Sequence, residues 1–237
     1  MATDRWLVYT VPRYNKRTLP EDIERMNQLG HITTLMFDWD GTLVDSARLG
    51  LVAFEKTFNE LGVTFAHEIY EAAYSPNWYS TYEALGLPKE KWQVADQLWI
   101  RHYGNQSAQL IEGVGETLLT LHGKGYRLGI VTSGSRSRVC REIEQSVLTE
   151  AFAVIVCNED IANKKPDPEG LQFAMRALSA NAKECAYIGD APEDIEMGRR
   201  GNVITIGVRS DYPSSSRVLS AKPDIYLESM TELLNHF

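Results

Sequence analysis

The sequence predicts an α/β fold in which helices cover a Rossmann-like parallel sheet. Five short apolar runs have the length of strands: 32–37, 126–131, 153–157, 185–188 and 203–208. From residue 114 onward they alternate with stretches of helical spacing: 114–123, 135–147, 168–180 and 192–200. Continuous apolarity is typical of strands buried on both faces, and alternation with helices is typical of parallel sheets.

A second, smaller domain is predicted between the first two strands. Almost ninety residues separate them, far more than one crossover connection requires. The segment 46–112 shows helical spacing with breaks near Gly62, Pro76 and Pro88. We therefore predict an all-helical domain over 46–112, inserted into a core domain formed by 31–45 and 113–237.

Local signals place two helix starts and one extension. Asp167 and Pro168 predict an N-cap followed by proline at the first helical position, and Pro192 marks another N-terminus. Residues 1–30 form an N-terminal extension in which RWLVYTV indicates an extended piece and Pro20 the start of a helix. No function follows for the extension.

The composition is that of an ordinary globular protein and limits the possible partners. It is 43% hydrophobic and 24% charged, and its formal net charge of −8 opposes binding to nucleic acid. The apolar runs are too short to span a membrane. We expect Cys140, Cys157 and Cys185 to be buried thiols in a reducing cytoplasm, in a protein that is a monomer or a homodimer.

Polar residues follow the predicted strands where each strand ends. Asp38 and Asp40 follow the first strand, Ser133 the second, Lys165 the third and Asp190 the fourth. In open α/β sheets the carboxyl ends of the strands converge on the crevice that binds ligands. These sequence-distant residues are therefore expected to share one site.

Four motifs carry a resemblance to a known family. DWDGT stands at 38–42, VTSG at 131–134, KKPDP at 164–168 and GDAPED at 189–194. In this order they resemble the haloacid dehalogenase (HAD) superfamily, on its phosphatase branch, with a leaning to the phosphoglycolate phosphatase group. The helical insertion resembles the family's cap domain, and GVGETLLTLHGKG at 113–125 resembles the return to the core.

The resemblance implies an Mg²⁺-dependent phosphohydrolase acting through an aspartyl-phosphate. Asp38 would be the nucleophile that attacks phosphorus, and Asp40 would act as general acid and then general base, a role that a raised pKa of Asp40 would help. Asp38, the backbone carbonyl of Asp40 and Asp190 would hold the metal, with Asp194 supporting them from behind. Oxygen ligands of this kind are those that Mg²⁺ prefers.

The same resemblance assigns the groups that hold the phosphate. Lys165 would contact both the phosphate and the nucleophile. Ser133 would donate a hydrogen bond to a phosphoryl oxygen, and N–H groups near Gly134 would complete an anion site at a helix start. Gly41 and Thr42 would let the loop turn and close on the phosphate.

Substrate specificity is expected to come from the cap. Its aromatic residues are mostly expected to form the cap core, yet Asn77, Trp78, Tyr79 and Tyr82 lie between predicted helices and are candidates to face the substrate. Phosphoglycolate-like acids, sugar phosphates, nucleotides and pyrophosphate all remain open, so the predicted partner is a small phosphorylated metabolite. The histidines show no metal-ligand spacing.

Three alternatives to a phosphatase stay open. Asp40 argues against a dehalogenase, because a halide leaving group needs no proton. Trp39 is a departure that resembles the phosphonate hydrolases, which need a Schiff-base lysine, and none of the cap lysines Lys56, Lys89 and Lys91 is obviously placed for that role. A phosphomutase of the β-phosphoglucomutase kind and a non-catalytic phosphate-binding regulatory module share the same motifs.

Overall fold

The computed structural model describes residues 29–237, and its strands and helices follow the predicted alternation. The strands are β1 Thr34–Phe37, β2 Val44–Asp45, β3 Gln109–Leu110, β4 Arg127–Val131, β5 Phe152–Val156, β6 Cys185–Gly189, β7 Ile204–Val208 and β8 Ile225–Leu227. The α-helices are α1 Ala47–Glu60, α2 His67–Ala73, α3 Trp78–Ala84, α4 Trp92–Tyr103, α5 Val114–Gly123, α6 Arg136–Glu144, α7 Glu169–Ala177 and α8 Pro192–Arg200.

Six strands form one parallel sheet in the order β5-β4-β1-β6-β7-β8. β1 lies at its centre, where Thr34 is in register with Arg127 of β4 on one side and with Cys185 of β6 on the other. All four residues of β1 are buried, as expected for a strand covered on both faces. The predicted fold class is confirmed. β8 is an addition to the prediction, because its three residues are too few to give a periodic signal.

The long insertion is helical, as predicted, and contains α1 to α4. Aromatic rings dominate its core, in which Phe54, Phe58, Tyr70 and Tyr82 are buried together. At its base, β2 and β3 pair antiparallel, with Val44 opposite Leu110, and form a two-stranded ribbon that leads into and out of the core. The ribbon lies close to the predicted domain boundaries at 46 and 112, which stay a prediction.

The two helix starts turned out differently. Pro192 is the first residue of α8, as predicted. The prediction for Pro168 was wrong by one position: α7 begins at Glu169, because the Asp167 carboxylate accepts the N–H of Glu169 at 2.9 Å and closes a turn around the proline. The extended piece and the helix proposed for residues 1–28 lie outside the described residues.

The cap rests on the core through polar contacts and stacked rings. Ser75 donates to Glu193 Oε1 at 2.6 Å, Arg217 donates to the carbonyl of Ala72 at 2.9 Å, and the ring of Tyr74 stacks on that of Tyr212 with centroids 5.0 Å apart. These contacts enclose the crevice at the carboxyl edge of the sheet.

Two further expectations can be compared with the described residues. All three cysteines are free; Cys157 and Cys185 are buried as expected, whereas Cys140 is only partly buried. Within residues 29–237, no helix combines the length and the apolar character that crossing a bilayer demands.

Candidate active site

Asp38 directly follows β1, the central strand, and lines the crevice at the carboxyl edge of the sheet. Its N–H donates to the carbonyl of Ile188 at 2.8 Å, which continues the ladder between β1 and β6 by one residue and fixes the backbone there. Asp38 as a whole residue is 4% exposed. A carboxylate held this way has little freedom to turn away from a ligand in the crevice.

A buried lysine lies directly against Asp38. Lys165 Nζ is 2.8 Å from Asp38 Oδ1 and 2.7 Å from Asp194 Oδ1, and its side chain is 2% exposed. Burial alone would lower the pKa of Lys165, but the two carboxylates outweigh it and raise that pKa above the ordinary lysine value. Lys165 is therefore a permanent cation beside Asp38. Lys164 is not its equivalent, since its Nζ lies 4.0 Å over the ring of Trp78.

Three carboxylates crowd together next to this lysine. Asp38, Asp190 and Asp194 each offer an oxygen within 4.8 Å of the others, and all three are buried. Burial raises the pKa of Asp38 to about 6, in part offset by Lys165, and burial with the charges of Asp194 and Asp38 raises the pKa of Asp190 well above its usual value. The cluster is thus short of positive charge, and an all-oxygen donor set of this kind suits a hard divalent cation.

Asp190 and Asp194 differ in the hydrogen bonds that their carboxylate oxygens already accept. Asp194 accepts from Lys165 and Tyr187 on one oxygen and from the N–H of Ala191 on the other, so both of its oxygens are already engaged. Among the described residues, the side chain of Asp190 accepts hydrogen bonds from hydroxyl donors alone, from Thr42 at 3.3 Å and Ser210 at 2.6 Å. Thr42 therefore supports Asp190 in addition to any contact with phosphate, and Ser210 is a supporting residue that sequence reasoning missed.

Gly41 makes room for this arrangement. Its φ is +75°, and a Cβ there would lie 2.3 Å from Asp190 Oδ2 and 2.6 Å from the ring of Tyr212. Both the backbone conformation and the contact require glycine.

We predict that Gly41→Ala lowers the free energy of unfolding by about 2 kcal/mol or more, because Asp190 must move. Gly86→Ala is the matched control. Gly86 also has a positive φ, of +72°, but a Cβ there would have no other group within 4 Å, so only the backbone strain of about 1 kcal/mol is expected. Urea denaturation of both variants measures the difference; equal losses would contradict the crowding at Asp190.

Asp40 is held by an arginine that the sequence analysis did not single out. Arg138 Nη1 donates to Asp40 Oδ1 at 2.9 Å, Nη2 donates to Oδ2, and Ser46 donates to Oδ1 at 2.6 Å. Burial favours the neutral carboxyl, but the guanidinium outweighs it and holds the pKa of Asp40 below its ordinary value. The raised pKa that would help Asp40 act as a general acid is therefore not what its surroundings produce.

The same arginine explains Trp39. The buried indole donates from Nε1 to Glu142 Oε2 at 2.7 Å, and Glu142 pairs with Arg138 Nη1 at 3.1 Å. Glu142 also accepts from the hydroxyl of Tyr103, on the last cap helix, at 3.1 Å. Trp39 thus anchors the carboxylate that orients Arg138. The sequence contained one signal, the i,i+4 spacing of Arg138 and Glu142 on α6.

The loop after β4 lies close to this pair. Ser133 lines the crevice, and its role as a phosphate ligand stays a prediction. The N–H of Gly134 donates to Thr132 Oγ1 at 3.0 Å, and a Cβ on Gly134 would lie 2.6 Å from Arg138 Nη2. Position 134 therefore requires glycine, because a side chain there would collide with the guanidinium of Arg138.

The crevice under the cap has a volume of about 170 Å³ and is lined from both domains. Of the predicted cap residues, Trp78 and Tyr82 line it, whereas Asn77 and Tyr79 do not. Asp96 accepts hydrogen bonds from Trp78, Tyr79 and Tyr82 and so fixes this aromatic wall. Tyr82 is also part of the cap core, where it is 1% exposed.

Comparison with known proteins shows relatives over most of the chain. The family model described as haloacid dehalogenase-like hydrolase matches residues 35–208. The chain is 31% identical over 209 residues to pyrophosphatase PpaX of Listeria welshimeri, covering 86% of this chain and 96% of the relative.

Solved structures agree with this match. A hydrolase from Pseudomonas syringae superimposes with a TM-score of 0.75 at 25% identity, covering 86% of this chain and 97% of the other. A predicted phosphoglycolate phosphatase from Haemophilus somnus gives a TM-score of 0.76 at 17% identity, over 86% and 97% of the two chains, and shows likeness of fold alone.

The chain belongs to the haloacid dehalogenase-like hydrolase family. The resemblance stated from the four motifs is confirmed, and so is the prediction of a phosphohydrolase of this family with a candidate metal site of buried aspartates.

Proposed function

We propose that the protein is an Mg²⁺-dependent phosphohydrolase that cleaves a small phosphorylated metabolite through a phosphate ester of Asp38. The observation that carries the proposal is the ion pair of Lys165 with Asp38, at 2.8 Å, within a buried cluster in which this lysine faces the three carboxylates of Asp38, Asp190 and Asp194. A nucleophile backed by a buried cation and flanked by a hard-metal donor set is what attack on an anionic phosphoryl group needs.

The metal would be held by Asp38, the backbone carbonyl of Asp40 and Asp190. Bound there, Mg²⁺ would neutralise negative charge on the nucleophile and on the phosphoryl oxygens. Asp194, whose oxygens are both engaged, would hold Lys165 in place behind the nucleophile.

The protein's own groups divide the reaction into two displacements. Asp38 attacks phosphorus while Ser133 holds a phosphoryl oxygen and Lys165, behind Asp38, offsets the negative charge, and Asp40 protonates the leaving oxygen. In the second displacement Asp40 removes a proton from the water that releases phosphate. Because Arg138 favours the ionised form of Asp40, the acid step requires that this contact loosen when substrate enters.

The enclosed crevice supports a small substrate. The relative from Listeria welshimeri is named a pyrophosphatase, and phosphoglycolate-like acids were the leaning from the sequence, so both classes are retained for this chain. Such a substrate would be met in the cytoplasm, without nucleic acid or membrane as partner.

Phosphonate hydrolysis is less well supported than phosphate ester hydrolysis. Among the cap lysines, Lys91 Nζ donates to the carbonyl of Leu61 at 3.1 Å, and Lys89 pairs with Glu83. None of the cap lysines lines the crevice in the described part of the chain. A Schiff base therefore has no candidate there.

The test is release of inorganic phosphate from 4-nitrophenyl phosphate, pyrophosphate, phosphoglycolate and sugar phosphates, ranked by kcat/KM at fixed Mg²⁺. Release must stop on chelation with EDTA and return when Mg²⁺ is restored. Metal-independent release would overturn the proposal, and transfer of phosphate to a sugar in place of water would identify a mutase.

We predict that Asp40→Asn reduces kcat by a factor of about 10²–10³, because proton transfer occurs in the transition state, and that KM does not rise but falls with kcat wherever slow hydrolysis lets the ester of Asp38 accumulate. The loss should be smaller in the first displacement when the leaving group is 4-nitrophenolate, which needs little protonation. Stopped-flow release of nitrophenolate, compared with steady-state phosphate release, measures this. An unchanged kcat would contradict the role of Asp40.

A further inference from the structure

The crevice contains one positively charged side chain, Arg138, to which the proposed mechanism assigns no contact with the substrate. Among the described residues that line it, Asp38, Asp40, Asp96, Glu159 and Asp190 are acidic, and Arg138 is the one lysine or arginine. Lys165 is not among the lining residues, since it is buried behind the nucleophile. Any negative charge of a substrate beyond its transferred phosphoryl group therefore meets Arg138 first.

Arg138 is placed on the side of the leaving group. Its guanidinium contacts both oxygens of Asp40, the residue that would face the oxygen that departs. Glu142, Trp39 and the ring of Tyr103, 5.0 Å from the guanidinium carbon, hold it from behind. Its position is thus set by the core and by the last cap helix together.

Arg138 also has a hydrogen-bond donor that the described residues leave unpaired. It is 5% exposed, yet its Nε–H has no hydrogen-bond partner among residues 29–237. An unpaired buried donor is costly, and an arginine offers five N–H groups in a planar fork suited to carboxylate or phosphate. This second observation indicates a ligand group beyond Asp40 and Glu142.

We propose that Arg138 binds a second anionic group of the substrate, a phosphate or a carboxylate attached next to the scissile P–O bond, and so determines specificity. The proposal rests on the proposed function and names its substrate class: phosphoanhydrides and phosphorylated small acids are preferred over esters with neutral leaving groups. When the anion binds Arg138, the hydrogen bonds from Arg138 to Asp40 weaken. Binding of the leaving group thereby allows Asp40 to take up the proton that it donates.

The experiment compares kcat/KM for pyrophosphate, phosphoglycolate and phenyl phosphate, the last as the neutral reference. In Arg138→Gln, the ratio of the preferred anionic substrate to phenyl phosphate is expected to fall by about tenfold or more, and by less in Arg138→Lys, which keeps the charge but loses the fork. The pyrophosphate and phosphoglycolate arms show whether the second group is phosphate or carboxylate.

The matched control is Arg136→Gln on the same helix. Arg136 is exposed and pairs with Asp160, outside the crevice lining, so its removal changes the charge of α6 and is expected to leave the substrate ratio unchanged. A proportional loss on all three substrates in Arg138→Gln would overturn the proposal, and so would a change in the ratio that matches the one Asp40→Asn gives, since a residue that only orients Asp40 affects each substrate according to the basicity of its leaving oxygen.

Two further measurements extend the test: a double variant replaces a single variant that does not fold, and calorimetry measures binding without turnover. The double variant Arg138→Gln/Glu142→Gln removes one charge of each sign, and is used where the single variant does not fold. Calorimetric binding of methylenediphosphonate and of methylphosphonate to the unaltered protein with Mg²⁺ is expected to favour the former by about tenfold. Equal binding would overturn the role of Arg138 even if hydrolysis is observed; preferential binding without hydrolysis would contradict only the proposed function.

Discussion

Asp38→Asn is expected to abolish phosphate release, with kcat reduced by a factor of about 10⁴ or more, because no other carboxylate in residues 29–237 both lines the crevice and pairs with Lys165. The fold should survive. Burial raises the pKa of Asp38 to about 6, so at higher pH its charge opposes folding, and an uncharged amide of the same shape removes that cost. Steady-state phosphate release and thermal melting measure the two effects.

The control for this variant is Asp45→Asn. Asp45 lies on β2, close in sequence, and its side chain is exposed, so its loss is expected to leave both rate and stability near those of the unaltered protein. Residual activity of Asp38→Asn above about a tenth of the original would mean that another group attacks phosphorus.

Lys165→Ala is expected to damage both stability and catalysis. It leaves Asp38 and Asp194 buried without their cation, a change that costs about 3–5 kcal/mol in comparable buried pairs. The raised pKa of Lys165 means that its stabilising charge is fully present at neutral pH and is lost only as pH rises through that folded-state pKa. Denaturant unfolding should show the loss, and saturating Mg²⁺ should recover part of it.

Lys164→Ala is the matched control for this prediction. Lys164 is next in sequence but contacts Trp78 and Asn158, so its loss is expected to cost less than about 1 kcal/mol. Unfolding of Lys165→Ala at the same denaturant concentration as the unaltered protein would contradict the ion pairs. Equal kinetic losses in the two variants would show that the charge near Asp38 is shared.

The sheet and the shared site could be predicted because their signals are local. Each of the five predicted strands is a continuous apolar run, and the topology rule for parallel sheets then brings Asp38, Lys165 and Asp190 to one edge. The contact of Lys165 with Asp38, at 2.8 Å, is the direct outcome of that rule. Helix ends depend on single contacts, as at Pro168, where one side-chain hydrogen bond decided the start.

The environment of Asp40 could not be predicted, because it depends on contacts distant in sequence. Trp39 and Glu142 are separated by 103 positions, and Arg138 and Asp40 by 98. The spacing of apolar residues along the sequence carries no information about contacts between residues this far apart. Trp39, unexplained by the motif alone, is explained once β1 and α6 pack together, and the lowered pKa of Asp40 follows from the same packing.

The central claim is that Asp38 carries the phosphoryl group, and trapping that ester tests it most directly. In Asp40→Asn with 4-nitrophenyl phosphate, the first displacement needs no acid whereas the second lacks its base, so the ester should accumulate. Rapid quenching, borohydride reduction and peptide mapping should then find homoserine at position 38, with a nitrophenolate burst of about one equivalent per enzyme. A burst with no modification at position 38, or with reduction at another carboxylate, would contradict the account.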